Sequence, residues 1–509
     1  AAAHKRRRNT VRRIAAINPS LARSWQAIVK CRQSRGKVEA DEQGWPRLIR
    51  LFNHYLPRPL LILGLVEIVL IYLSVQAAWL FRAQQIDMDP GNVLARAPQF
   101  GLYAATVYLV MLGIGAYQMD CFRSLRMAMS RIAVAMLISI TAISVILFFF
   151  PDVDLWRSVV LYAIALTFVV IFAWRVLMSR IMKWKSFRFR VLIIGAGQRG
   201  GRLARAAEAP DSNFTAAAVV RLTDTGNVID NALAIDSVPS LVDLCERLRI
   251  DEVVLALDER RGAAPSEKLL EVKLAGFPVS EISSFLERQT GRVDLRSISP
   301  SWLIYSDGFL GAEPLAIMLK RLFDITASLI LLVLASPILV VAALAVKLTS
   351  RGDIFYRQER VGQFGKTFNV VKFRSMVADA EKDGKAQWAK SGDPRVTPVG
   401  RILRATRIDE IPQIYNVLTG DMSFVGPRPE RPVFVEELAA EIPYYRERHI
   451  VKPGITGWAQ LNYPYGASVM DARHKLEYDL YYIKNYSLFL DLLILIQTVR
   501  VVVWQDGVR

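Results

Sequence analysis

The residues that could do chemistry gather in the last third of this 509-residue sequence. Arg401, Arg404 and Arg407 stand three apart, and Asp409 and Glu410 follow directly. Helical spacing would set the three guanidiniums on one face. Such a field keeps a carboxylate ionised and draws in phosphate. Adjacent Asp and Glu can divide labour, one attacking and one holding a metal ion or positioning a partner. The plain alternative is that Asp409 caps a helix with Pro412 in its first turn. Further on, Gly426-Pro427-Arg428-Pro429-Glu430-Arg431-Pro432 presents two cations, Arg428 and Arg431, on a backbone stiffened by proline. Lys372 and Arg374 alternate as in a strand and would share a face. Of four histidines only His449 and His474 lie in this region, and no Ser–His or Cys–His nucleophile pair is evident. Phosphoryl transfer by a carboxylate nucleophile and a divalent ion suits that inventory. Gly362-Gln-Phe-Gly365-Lys366-Thr367 is no Walker A loop, because Arg360 stands where the first glycine is required. It reads as a turn between two strands.

The elements that must hold this site are greasy and basic at once. The chain is 52% hydrophobic with a mean hydropathy of +0.25, yet its net charge is +18. That composition excludes disorder and argues against an ordinary soluble enzyme. Cys31, Cys121 and Cys245 are too few and too scattered for a disulfide scaffold or a zinc site. Four apolar runs, at about 59–81, 101–119, 132–150 and 158–178, are each long enough to cross a hydrocarbon core of about 30 Å. The first is preceded by 58 residues, so it is not expected to be a cleavable signal peptide. Residues 1–50 carry 13 Lys/Arg against 3 Asp/Glu. Arg123, Arg126 and Arg131 mark the second connection, and Arg175, Arg180, Lys183, Lys185, Arg188 and Arg190 follow the fourth run. The first and third connections instead hold Asp87, Asp89, Asp152 and Asp154. The positive-inside rule therefore sets the N-terminus and everything after residue 179 on the cytoplasmic side. Basic blocks beside spans meet lipid headgroups, which argues against nucleic acid. Glu67, inside the first run, is expected to be a helix-packing contact rather than a functional acid.

A fifth run, Leu322 to Leu348, is also long enough to span, but basic residues flank both of its ends: Lys320, Arg321 and Arg351, Arg357, Arg360. Ser336-Pro337 sits at its middle, where proline removes a backbone donor. Charge and parity predict a helix-break-helix hairpin that enters and leaves one leaflet. The last stretch, Leu488 to Trp504, is interrupted by Asp491, Gln497 and Arg500 and reads as an interfacial helix. Between bundle and site, residues 187–290 alternate strands and helices. A strand over 189–194 runs into Gly195-Ala-Gly197-Gln-Arg-Gly200 and a helix, with further strands near 215–221, 252–257 and 277–281. That is the setting of a dinucleotide fingerprint. The acidic ribose ligand is missing, however, and Arg221 stands in its place. None of the 17 tyrosines has Lys four residues later, so Tyr-x-x-x-Lys catalysis is absent. A structural or nucleotide-sensing domain is expected.

These residues resemble the bacterial sugar transferases, the monotopic phosphoglycosyl transferases. The likeness rests on Arg357-Gln-Glu-Arg360-Val-Gly362, Lys372-Phe-Arg374-Ser-Met376, Asp409-Glu410 with Pro-Gln after it, and Ser423-Phe-Val-Gly-Pro-Arg-Pro-Glu-Arg-Pro432. Lys452-Pro-Gly-Ile-Thr-Gly-Trp-Ala-Gln460 and Lys475-Leu-Glu-Tyr-Asp-Leu-Tyr-Tyr-Ile-Lys484 belong to it as well. It covers about 317–509, and the upstream regions resemble the large members, which start exopolysaccharide or O-antigen assembly. The resemblance implies a ping-pong reaction at the cytoplasmic face of the bacterial inner membrane. Asp409 would attack the sugar-bearing phosphate of a UDP-hexose (glucose or galactose), releasing UMP, and undecaprenyl phosphate would then take the phosphosugar. Glu410 would be associated with Mg²⁺. Lys372, Arg374, Arg404, Arg407, Arg428 and Arg431 would bind substrate. Implied partners are UDP-hexose, undecaprenyl phosphate and membrane lipid, with a homodimer as an open expectation. The expected architecture is a basic segment 1–58, a four-span membrane α-helical bundle 59–180, a Rossmann-like α/β domain 187–300, and an α/β transferase domain 317–509 with a re-entrant helix 322–348. Two other readings are a membrane-anchored NAD-dependent nucleotide-sugar dehydratase, against which the missing Tyr-x-x-x-Lys counts, and a non-catalytic membrane sensor or scaffold.

Overall fold

The computed structural model describes residues 48–51, 54–118, 121, 124–181, 188–209, 212–223, 226–258, 265–298, 303, 308–309, 314–377, 395–464, 466 and 468–504. Most of the basic segment 1–58, with Lys183 and Lys185, lies outside them. Two compact units divide the chain, one holding residues 182–290 and the other 50–181 with 291–509.

Four helices make the bundle: α1 (Arg58–Gln85), α2 (Ala97–Gly113), α3 (Leu125–Phe149) and α4 (Arg157–Ile181). Each packs on its sequence neighbour, and α4 closes the ring against α1. Ile71, Trp79, Phe100, Val107, Met111, Ile132, Ala163 and Ile171 fill the centre. Leu65, Val69, Leu109, Leu137, Val145, Leu161 and Val169 point outward and are exposed. Helices that are apolar on every side suit a lipid surrounding. α1, α3 and α4 are long and apolar enough to cross a membrane, as is the helix of the fifth run. α2 begins and ends earlier than the apolar run 101–119. Gly115 takes φ 79° and turns the chain out of the helix. Its 17 residues still reach about 25 Å. At one end of the bundle the first and third connections meet, where Arg96 stacks on Trp79 and lies 3.7 Å from Asp154.

Two arginines counted as flanking charge have other work. Arg131 is buried and donates to Gly115 O (2.9 Å) and Gln118 Oε1 (2.8 Å), closing the turn after α2. Arg175 reaches inward to Glu67, Nε to Oε1 at 2.5 Å and Nη2 to Oε2 at 3.0 Å, both side chains fully enclosed. Glu67 thus pairs with an arginine 108 residues away, a partner invisible in the sequence.

The middle unit is a five-stranded parallel sheet. Its strands are β1 (Phe189–Ile194), β2 (Phe214–Arg221), β3 (Leu233–Ala234), β4 (Glu252–Leu255) and β5 (Val279–Glu281). The order β3-β2-β1-β4-β5 is the doubly wound arrangement. The glycine-rich loop leads into α5 (Gln198–Glu208), as its spacing predicts. The amides that would greet a pyrophosphate are already taken. Asp258, just after β4, accepts from Gln198 N (2.7 Å) and Arg199 N (2.8 Å). A Cβ on Gly197 would lie 2.0 Å from its Oδ2. Among the described residues Arg221 rather than an acid ends β2, and Asp258 fills the cradle that a pyrophosphate would need.

In the other unit, α6 (Pro314–Thr349) carries the fifth apolar run as one helix of 36 residues, helical straight through Ser336-Pro337. The break expected there does not interrupt it. Pro337 cannot donate to Val333 O, and the Ser336 hydroxyl donates to that carbonyl instead, at 2.8 Å. A straight rod would put residues 321 and 346 about 38 Å apart. Yet Arg321 donates to Val417 O and Leu418 O, while Ala342 and Val346 share a cluster with Ile408. Residues 408–418 are helical turns that span about 20 Å, so both limbs of α6 rest on one body. Val333, Leu334, Val340 and Val341, between the limbs, are exposed.

That body has an antiparallel hairpin, β6 (Phe355–Val361) and β7 (Thr367–Phe373), joined by the expected turn. Next come α7 (Pro398–Ala405), a 3-10 helix (Ile408–Gln413) and α8 (Ile414–Thr419). The parallel pair β8 (Ser423–Val425) and β9 (Gly454–Thr456) follows, with α9 (Pro432–Glu441) between. α10 (Val469–Lys484) and α11 (Leu488–Trp504) end the chain. Asp491 is not on a water-facing side of α11. It is buried, bonded to Lys320 Nζ (2.5 Å) and the Tyr482 hydroxyl (2.7 Å). The boundary also falls earlier than 300. Val293, Leu295 and Ile298 belong to this core, and Gly291 O accepts from Trp458 Nε1 at 2.8 Å.

Candidate active site

Asp409 and Glu410 occupy the first turn of the 3-10 helix, which Arg407 enters in the left-handed region (φ 59°). Asp409 therefore does not cap a helix. It is buried at 8% exposure, and its Oδ1 has no hydrogen-bond partner among the described residues. A buried acceptor without a donor costs on the order of 1–3 kcal/mol. That expense is understandable where a reacting atom must stay unencumbered.

Glu410 is the opposite case. Its Oε1 accepts from Lys372 Nζ (2.7 Å) and from Arg428 (3.0 Å), and Arg407 lies 4.0 Å from Oε2. β7 delivers Lys372, steadied by Asn416, whose side chain bonds Val371 N and Asn369 O. The two carboxyls are driven apart in acidity. Burial, then the Glu410 charge, raises Asp409 above the usual carboxylate range, and Lys372, Arg404 and Arg407 offset only part of that. Burial would raise Glu410 too, but Arg428 and Lys372 overcome it and hold it well below the usual range. One carboxyl is firmly an anion and the other is poised, a division that marks paired catalytic acids.

Six cations were expected here, and four converge on the dyad: Lys372, Arg407 and Arg428 by contact, and Arg404 by its field on Asp409. Arg404 is aimed by Ser375, whose Oγ accepts from its Nε at 2.8 Å. α7 approaches so closely that a Cβ on Gly400 would lie 2.0 Å from Ser375 O. Arg374 does not share the face of Lys372. It follows the last strand residue and donates to Ser350 O (2.9 Å) and Oγ (2.7 Å), pinning the end of α6. Arg431 is the residue before α9, and its charge opposes that of Arg360. Ser375 and Asn416, which aim Arg404 and steady Lys372, carry no signal in the sequence, because packing alone brings them to the site.

Among the described residues no group of three or more His, Cys, Asp or Glu could hold a metal ion. Mg²⁺ needs only one or two carboxylates when phosphate and water complete its shell. Glu410 Oε2, which accepts no hydrogen bond from Lys372 or Arg428, fits that smaller demand.

A family model described as bacterial sugar transferase matches residues 315–505, and one described as CoA-binding domain matches 113–264. An uncharacterized sugar transferase of Bacillus subtilis is 43% identical over 196 residues, 38% of this chain and 91% of that protein. A UDP-N-acetylgalactosamine-undecaprenyl-phosphate N-acetylgalactosaminephosphotransferase of Aeromonas hydrophila is 44% identical over 263 residues, 52% of this chain and 61% of its own length. A UDP-glucose:undecaprenyl-phosphate glucose-1-phosphate transferase of Klebsiella pneumoniae is 37% identical over 275 residues, 53% of this chain and 58% of its own length. These last two matches span about 60% of the relatives' lengths. The chain belongs to the bacterial sugar transferase family.

Proposed function

We propose that this chain transfers hexose 1-phosphate, or its N-acetylhexosamine counterpart, from a UDP-sugar to undecaprenyl phosphate at the cytoplasmic face of the membrane. The observation that carries the reading is the buried Asp409 Oδ1, unpartnered beside a Glu410 locked among cations. Asp409 attacks the sugar-bearing phosphorus, the bond to the bridging oxygen breaks, and UMP leaves with that electron pair. An undecaprenyl phosphate oxygen then attacks the same phosphorus and frees the carboxylate. No proton is gained or lost across the cycle. Lys372, Arg407 and Arg428 hold Glu410 ionised and bring positive charge to where phosphate oxygens would lie. Glu410 would hold Mg²⁺, which would supply charge neutralisation. Glucose and galactose are the sugars that resemblance to the large members implies, and the Aeromonas relative adds N-acetylgalactosamine as a candidate. α6, apolar and exposed between two limbs that rest on one body, supports entry into and exit from one leaflet.

The test is UMP release from a UDP-sugar by the full chain with Mg²⁺ and polyprenyl phosphate. Its pH profile is a prediction in itself. Asp409 must be ionised to attack, and its pKa is raised, so the rate should fall with acidification at a pH above about 4, where an ordinary aspartate would titrate. An acid limb at or below pH 4 contradicts this. Orientation is testable in intact cells. With Cys31, Cys121 and Cys245 changed to Ser, a Phe364→Cys thiol in the β6–β7 turn should resist an impermeant maleimide until the membrane is opened. Labelling in closed cells would mean that α6 crosses.

A further inference from the structure

Arg428 touches Glu410 through its side chain, but its backbone is what fixes the aim of that side chain. The carbonyls around it are each held. Pro427 O accepts from Gly454 N (2.9 Å), Pro429 O from Arg360 (3.0 Å) and Glu430 O from Val361 N (2.9 Å). Arg428 O itself accepts from Arg448 Nη2 at 3.0 Å. Arg448 comes from the 3-10 helix Tyr445–Ile450 and is buried at 6% exposure. Its Nη2 is also 2.8 Å from Asp479 of α10, and its Nη1 donates to the Tyr445 hydroxyl at 2.7 Å. A buried guanidinium and carboxylate are expensive to assemble, and an apolar pair often serves stability as well or better. A pair that spends one donor on a single carbonyl beside the active site therefore suggests specification of geometry.

We infer that Arg448, held by Asp479 and Tyr445, is a positioning residue that presets the Arg428 guanidinium against Glu410 and the substrate phosphates. Lysine at 448 would keep the charge facing Asp479 but lose the rigid fork that grips Asp479, Tyr445 and Arg428 O together. The inference rests on the transferase reading, so wild-type UMP release is measured first; its absence would reject that reading instead. In an active wild type, Arg448→Lys should lower kcat/KM about tenfold. In an Arg428→Lys background the same change should cost less than twofold, because a shorter, forkless side chain no longer profits from the preset backbone. Tyr445→Phe, a gentler cut, should show the same non-additivity with a smaller loss, and it replaces Arg448→Lys in the cycle if that variant does not accumulate folded. Equal losses in both backgrounds would reduce Arg448 to a fold-holding residue and overturn the inference, as would full activity in Arg448→Lys or Tyr445→Phe.

Discussion

Asp409→Asn should abolish UMP release, by about a thousandfold or more, in a protein that is no less stable than the wild type. The loss follows from removing the attacking oxygen's charge, since a neutral amide does not form the phosphosugar ester and nucleophile losses in other enzymes exceed that size. The stability half separates catalysis from folding. Burial raises Asp409 in the folded state, so its ionised form weighs against the fold at neutral pH. An uncharged isostere relieves that cost. Glu410→Gln should behave in the opposite way. Its folded pKa is depressed by Arg428 and Lys372 despite burial, so its charge contributes stability above the unfolded pKa that is lost as pH falls. Removing it leaves those cations unpaired and should lower the melting temperature along with activity. Unaltered UMP release from Asp409→Asn would reject the covalent mechanism. A collapse of folded protein in that variant would show that Asp409 serves the fold.

What could be read from the sequence was local or motif-bound. The run of Arg404, Arg407, Asp409 and Glu410 is contiguous, so its field is visible without a fold. The sheet of the middle unit appears as alternating apolar runs for the same reason, and the glycine spacing correctly marks the strand-to-helix turn. Partners brought together by tertiary packing were invisible. Asp491 looks like an interruption of an apolar helix until Lys320, 171 residues away, meets it. Asp258 lies 60 residues from the loop it fills, which no fingerprint encodes. Arg374 shows the limit of alternation. One step beyond the end of β7, the two-residue period no longer governs where a side chain points, and it turns to Ser350. The cations of the site thus had to be sorted by geometry into those that face phosphate and those that hold the frame.

The largest structural loss should come from the bundle, at Glu67 and Arg175. Their bidentate contact lies between apolar helices with no route to water for either charge. Each single replacement, Glu67→Leu or Arg175→Leu, strands one ion in an apolar surrounding, which should cost about 3–5 kcal/mol. The double replacement removes both charges and pays only for packing, so most of that loss should return. Thermal or denaturant unfolding in a fixed detergent reads the cycle. Additive losses, or single losses below about 1 kcal/mol, would mean that water reaches the pair. The same set of variants decides between a functional and a structural acid. An ion pair that only holds α1 to α4 leaves turnover per folded molecule unchanged, because Asp409 and its cations sit on the α/β body. A double variant that regains its fold but not its UMP release would make Glu67 part of the reaction, the default suspicion for an acid within a membrane span.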